Sequence, residues 1–165
     1  MSRELILLRH GKSDWKTEAG SDFDRPLAER GLRDAPRMGR WLAREGLKPD
    51  HFVSSPAQRA RQTALLIGRE LGVPVDAIRW DSRIYAAEVS DLLQVLADAP
   101  PQAHRVLLVG HNPGLELLLG HLAAMTDGVV KTATAILLDM ATDWRSLGKG
   151  CARLRLIKHP RDLDG

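Results

Sequence analysis

Residues 4–15 read ELILLRHGKSDW, and the reading of this stretch decides the fold. Four apolar residues, Leu5 to Leu8, form a run too short for a helix and too continuous for a half-exposed strand. Such a run fits a strand buried on both faces, as in a parallel sheet. It ends in Arg9-His10-Gly11, a cation and an imidazole at the tip of a buried element. In open α/β sheets ligands collect at the carboxyl ends of the strands, so this tip is a candidate site.

The same pattern recurs along the chain. His51–Ser54 reads as a short strand ahead of SSPAQRARQTA, residues 54–64, with Ser55 and Pro56 placed to open a helix. Arg105–Val109 reads as a continuous apolar strand ahead of GHNPG, residues 110–114, where Asn112-Pro113 opens a helix reaching Met125. Further strands are expected over 75–80, 134–140 and 151–157, and further helices over 30–45 and 90–97. Leu32, Ala35, Met38, Trp41 and Leu42 carry the apolar face of the first helix, with Pro36 in its first turn or at a kink. Residues 12–28 read as a long polar loop. The expectation is an α/β fold, a mostly parallel central sheet flanked by helices on both faces, in one compact domain over residues 1–165.

Composition bounds the function. The chain has 165 residues, 44% hydrophobic and 27% charged, with a net charge of +3 and one cysteine. No apolar run is long enough to span a membrane. Ser2-Arg3-Glu4 does not read as a secretory leader, and a lone Cys151 makes no disulfide framework, so a cytoplasmic protein is expected. The arginines at 30, 33, 37, 40 and 44 alternate with apolar residues and read as a solvated helix face. No zinc-finger spacing or aromatic-rich strand argues for nucleic acid. A monomer without cofactor suffices.

Three strand ends thus offer Arg9, His10, Arg59 and His111. Arginine binds oxyanions through a two-pronged fork and stays charged, so this set suits a phosphoryl group. Gly11 would turn the chain so that phosphate approaches the backbone. A metal site fits poorly, because arginines would repel the cation and no HxxxH pair exists.

LLRHGKSDW, SSPAQRARQTA and GHNPG, in this order, resemble the motifs of the histidine phosphatase superfamily, the phosphoglycerate-mutase-like fold. RPLAERGLRDA resembles the helix after its first loop, with Gly31 and Ala35 in register, and KTATAILL resembles a late strand that begins after Thr132. The short length and the DRPLAERG phrase resemble the SixA-type phosphohistidine phosphatases. The resemblance implies that His10 is the nucleophile and that Arg9, Arg59 and His111 hold the phosphoryl oxygens. It implies no role for Arg61.

The pattern breaks at two places. Mutases of the superfamily carry a phosphate-contacting Asn where this chain has Lys16. Many relatives use a glutamate after the third strand as general acid. Glu88 in RIYAAEVSDLL is the nearest candidate and equally a helix-capping residue, with Asp22 and Asp24 as further candidates. A missing acid favours phosphohistidine, which leaves as neutral imidazole, over an ester, which needs a proton. Lys12, Ser13 and Trp15 would shape substrate entry. The expected substrate is phosphohistidine on a signalling or phosphotransfer protein. Small phosphate monoesters are the alternative, and an inactive phosphate-binding module is the alternative of another class.

Overall fold

The computed structural model describes residues 3–16, 20–125 and 128–163. Six strands form one sheet: β1 (Arg3–Arg9), β2 (His51–Ser54), β3 (Ile78–Trp80), β4 (Arg105–Gly110), β5 (Ala135–Met140) and β6 (Ala152–Lys158). Their order is β3-β2-β4-β1-β5-β6. The pairings β3–β2, β2–β4 and β4–β1 are parallel, whereas β5 runs antiparallel to both of its neighbours. The sheet is mostly parallel, as expected.

Four helices cover it: α1 (Glu29–Arg44), α2 (Gln58–Leu71), α3 (Val89–Ala97) and α4 (Gly114–Ala123). The chain moves outward through β1, β2 and β3, then turns back to β4 and β5. Right-handed crossovers place helices on opposite faces when the direction of travel reverses. Accordingly α1 and α2 pack on one face around Ile6, Leu8 and Leu107, and α3 and α4 on the other around Leu5, Leu7 and Leu108. Successive strand residues point to opposite faces, so a central strand with helices on both sides must be apolar throughout. Leu5 to Leu8 are all 0–1% exposed.

Some expected details differ. Residues 75–77 form a 3-10 turn, and the third strand is confined to Ile78–Trp80. Pro74 starts this turn and Val75 is exposed, so only Ile78 of this segment enters the core. Pro36 lies in the interior of α1, and Leu32 is 45% exposed while Ala35, Met38, Trp41 and Leu42 are buried. Proline cannot donate to the carbonyl four residues back, so the missing bond falls on Leu32, at the solvent side. The fourth helix starts at Gly114 and ends at Ala123, short of Met125. Among the described residues no helix is long and apolar enough to cross a membrane.

Candidate active site

Strand register assembles the site. Arg9 pairs with Gly110 across β1 and β4, so His10 and His111 leave neighbouring strands side by side. His10 N–H donates to the Gly110 carbonyl at 3.1 Å, and the two imidazole centroids stand 5.1 Å apart. Ser54 pairs with Val109, which puts Ser55 next to the end of β4, and Ser55 Oγ lies 2.8 Å from His111 Nε2. Arg59 follows in the first turn of α2. Among the described residues, Arg9, His10, Lys12, Ser13, Trp15, Asp22, Arg25, Arg59, His111, Asn112 and Thr132 line one cavity of ≈ 330 Å³.

His10 is 5% exposed, and its Nδ1 lies 2.7 Å from the Gly11 carbonyl. A carbonyl only accepts, so Nδ1 carries the proton and Nε2 of the neutral ring keeps its lone pair. Burial lowers the His10 pKa to about 3, and the charges of His111, Arg59 and Arg9 push in the same direction against the Gly11 bond. Burial likewise lowers His111 to about 4, with Arg59 the leading like-charge contribution. Both rings are therefore neutral at pH 7. The His111 Nδ1 is buried without a partner among the described residues.

Three guanidinium groups converge on the cavity. Arg9 donates to the Val130 carbonyl at 3.1 Å, which also accepts from Asn112 Nδ2 at 2.7 Å. Arg59 is 6% exposed and donates to the Asp22 carbonyl at 2.8 Å and to its Oδ2 at 3.1 Å. Arg25 is 8% exposed and donates to Asp22 Oδ1 at 2.8 Å and to the Ser13 hydroxyl. The Nε atoms of all three are buried without partners among the described residues. Burying cations this way is costly unless an anion joins them. Asp22 supplies one negative charge; Arg25 and then the Tyr85 hydroxyl, which donates to it at 2.8 Å, hold its pKa far below the usual carboxylate range.

The structure thus brings His10, Arg9, Arg59, His111, Lys12, Ser13 and Trp15 together around one cavity. It separates others. Gly11 does not line the cavity. Its N–H donates to Thr63 Oγ1 at 3.0 Å and its carbonyl serves His10, leaving no backbone group for a phosphate. Glycine is needed there because a Cβ would stand 2.9 Å from the Gly31 Cα. Glu88 is exposed and stands ahead of α3, its N–H accepted by Asp91 Oδ2 at 2.9 Å; the capping reading of that position holds, and it lies outside the cavity lining. Asp22, held ionised, has no proton to give at neutral pH. Asp24 is exposed and bonds Ser21. Lys16 is exposed and outside the lining, so it takes no Asn-like place at the cavity. Arg61 stacks on Trp80, 4.7 Å from the ring centroid. Ser55 is buried beneath His111, and the helix it was expected to cap begins three residues later. The Gln58 N–H at that helix end is already taken by the Phe23 carbonyl at 2.9 Å.

Arg25, Tyr85, Ser55 and Asn112 escaped the sequence reading. Arg25 stands inside the DRPLAERG phrase and Tyr85 three residues before Glu88, so each lies within a stretch that the motifs single out. Among the described residues, no cluster of three or more His, Cys, Asp or Glu could hold a metal.

The chain is similar to known proteins in sequence and in fold. A model of the histidine phosphatase superfamily (branch 1) matches residues 5–79. An uncharacterized protein of Mycobacterium tuberculosis is 32% identical, covering 93% of this chain and all of that one. A solved chain named SixA from Nakamurella multipartitia is 30% identical with a TM-score of 0.84, covering 97% of each. Phosphoglycerate mutases match more locally: that of Methylorubrum populi is 39% identical over 44% of this chain and 35% of the mutase. The chain belongs to the histidine phosphatase superfamily. Within it, the chain falls in the SixA-type branch.

Proposed function

We propose that this protein is a phosphatase that removes the phosphoryl group from phosphohistidine on a protein, by way of a phosphorylated His10. The observation that carries this reading is the state of His10: neutral, buried, and with Nε2 freed by the Nδ1–H bond to Gly11. Superfamily membership and a SixA-type neighbour support phosphatase chemistry.

In the first step the Nε2 lone pair attacks phosphorus, and the P–N bond to the substrate imidazole breaks. That imidazole leaves neutral if its other nitrogen is already protonated. His10 becomes an N-phosphoryl imidazolium, with its Nδ1–H still bonded to the Gly11 carbonyl. In the second step water attacks phosphorus, the Nε2–P bond breaks and neutral His10 returns; the water's proton passes to phosphate or solvent. Splitting one displacement into two is the gain of nucleophilic catalysis. Arg9, Arg59 and Arg25 stabilise the charge on the equatorial oxygens, the main demand of phosphoryl transfer. The positive phospho-imidazolium is a reactive phosphoryl donor, because neutral imidazole is a good leaving group.

Asp22 is the only carboxylate among the described residues lining the cavity, and it is ionised. An ester substrate would find no carboxylic acid there to protonate its leaving group, whereas phosphohistidine brings its own proton.

The test is phosphate release from a protein phosphorylated on histidine and from an alkyl phosphate monoester, whose alkoxide leaving group needs a proton, with wild type and His10→Ala. The expected result is turnover of the phosphoprotein, little of the ester, and a loss of about 10³-fold or more in the variant, the scale seen when a nucleophile is removed. Preference for the ester would overturn the substrate assignment, and phosphate release that survives in His10→Ala would overturn the mechanism.

A further inference from the structure

Thr132 lines the His10 cavity on one side and a second cleft on the other. This second cleft, ≈ 220 Å³, is walled by Arg30, Arg33 and Arg37 of α1, by Lys131 and by Arg161. Among the described residues that line it, one carboxylate faces these five cations: Asp34, which is buried and paired with Arg37 at 3.0 Å and Arg33 at 3.4 Å. Most of the positive charge is left over. The Arg33 and Arg161 side chains are 65% and 71% exposed, and among the described residues Arg161 pairs with Asp162 alone, at 4.0 Å. The Arg30 guanidinium reaches Thr132 Oγ1 at 3.5 Å, which ties the cleft to the rim of the cavity.

Gathering five cations around one cleft raises the free energy of the folded chain unless an anionic partner offsets it. A solvated helix face does not need this convergence, because Lys131 and Arg161 come from segments far from α1 in sequence, Arg161 from a 3-10 turn. Leu32 and Pro36 continue the same helix surface beside Arg33, so the charged cleft borders a small apolar spot. Charge at the rim, apolar contact beside it and a reactive pocket next door are the features of a protein-docking surface.

We propose that this cleft binds acidic side chains of the protein substrate while its phosphohistidine enters the His10 cavity past Thr132. The inference rests on the phosphohistidine reading above and adds the chemistry of the substrate surface: Asp or Glu residues flanking the phosphorylated histidine.

The test pairs two substrates with one charge-reversal variant, Arg33→Glu with Arg161→Glu, both at well-exposed positions. The substrates are free phosphohistidine and a histidine phosphotransfer protein with acidic residues beside its phosphorylated histidine. The expected result is a fall of about tenfold or more in kcat/KM on the phosphoprotein, carried by KM and shrinking at high salt, with free phosphohistidine changed less than about twofold. Replacing the substrate's acidic residues by Lys should restore turnover in the variant. An unchanged phosphoprotein rate, or an equal loss on both substrates, would overturn the docking proposal and leave the phosphatase reading standing. A wild-type protein inert on both substrates would bring down the phosphatase reading and this inference with it.

Discussion

At the scale of single residues, the site is defined by what each polar atom already does without substrate. His10 Nδ1 is committed to the Gly11 carbonyl, and Gly11 N–H to Thr63, so the ring has one free nitrogen and one orientation. Thr63 in turn donates to the Arg59 carbonyl at 2.7 Å, which links the nucleophile to the helix that carries the arginine. Asp22 is the residue whose present role runs against the proposed chemistry. Its carboxylate holds Arg59 and Arg25, two groups that an incoming phosphoryl oxygen needs. Two anions compete for the same fork, so Asp22→Asn should bind inorganic phosphate more tightly. The expected gain is about fivefold at pH 7, or about 1 kcal/mol, the size of one partly screened charge interaction. Isothermal titration with phosphate measures it. Weaker binding in the variant would mean instead that Asp22 mainly holds Arg59 in place.

At the scale of elements, the first turn of α1 is a wall for the loop that follows the nucleophile. Ala28 N–H donates to the Lys12 carbonyl at 2.8 Å. A Cβ on Gly31 would sit 2.3 Å from the Lys12 carbonyl oxygen and 2.9 Å from Leu27 Cδ2. The Leu27 methyl can turn aside, but the Lys12 contacts are backbone against helix and cannot. Gly31→Ala should therefore displace the 10–12 segment, at a stability cost of about 1–3 kcal/mol, typical of overpacking. The same shift misplaces His10, so kcat on a phosphohistidine protein should fall together with the midpoint of urea denaturation. A variant of full stability and activity would show that the loop adapts. The sequence marked Gly31 through its place in the RPLAERG phrase, but its contact with Lys12 is tertiary and has no local signature. The buried strands β1 and β4 were legible because both faces are covered and the apolar run is unbroken. Ser55 was misjudged for a related reason. Ser-Pro ahead of a helical pattern signals a cap, yet its hydroxyl faces His111, a partner 56 positions away.

At the scale of the whole molecule, the parallel core and its three strand ends were legible because one rule, ligands at carboxyl ends, applies to every strand of such a sheet. The third arginine, Arg25, was hidden because it comes from the long loop and not from a strand end. The assembly of so many charges and two neutral histidines at one end also sets how the fold responds to acid. His10 and His111 titrate at about 3 and about 4 in the folded chain, against 6.5 for an unperturbed histidine. Burial lowers His51 and His159 in the same direction. Above pH 6.5 neither state of His10 or His111 binds a proton, and the shifts have no effect. Below it the unfolded chain takes up protons that the folded chain refuses, so stability falls as pH falls toward the folded values. Well below pH 6.5 each histidine contributes a slope approaching about 1.4 kcal/mol per pH unit, so the pair should cost roughly 3 kcal/mol between pH 6.5 and pH 5. The Asp22 carboxylate stays ionised over this range and does not offset the loss. Denaturation in phosphate-free buffer at the two pH values measures the effect, and a His10→Asn, His111→Asn double variant should lose most of the slope. Equal stability at both pH values in the wild type would mean that the two rings take up protons in the folded state, and that His10 is not held neutral for attack.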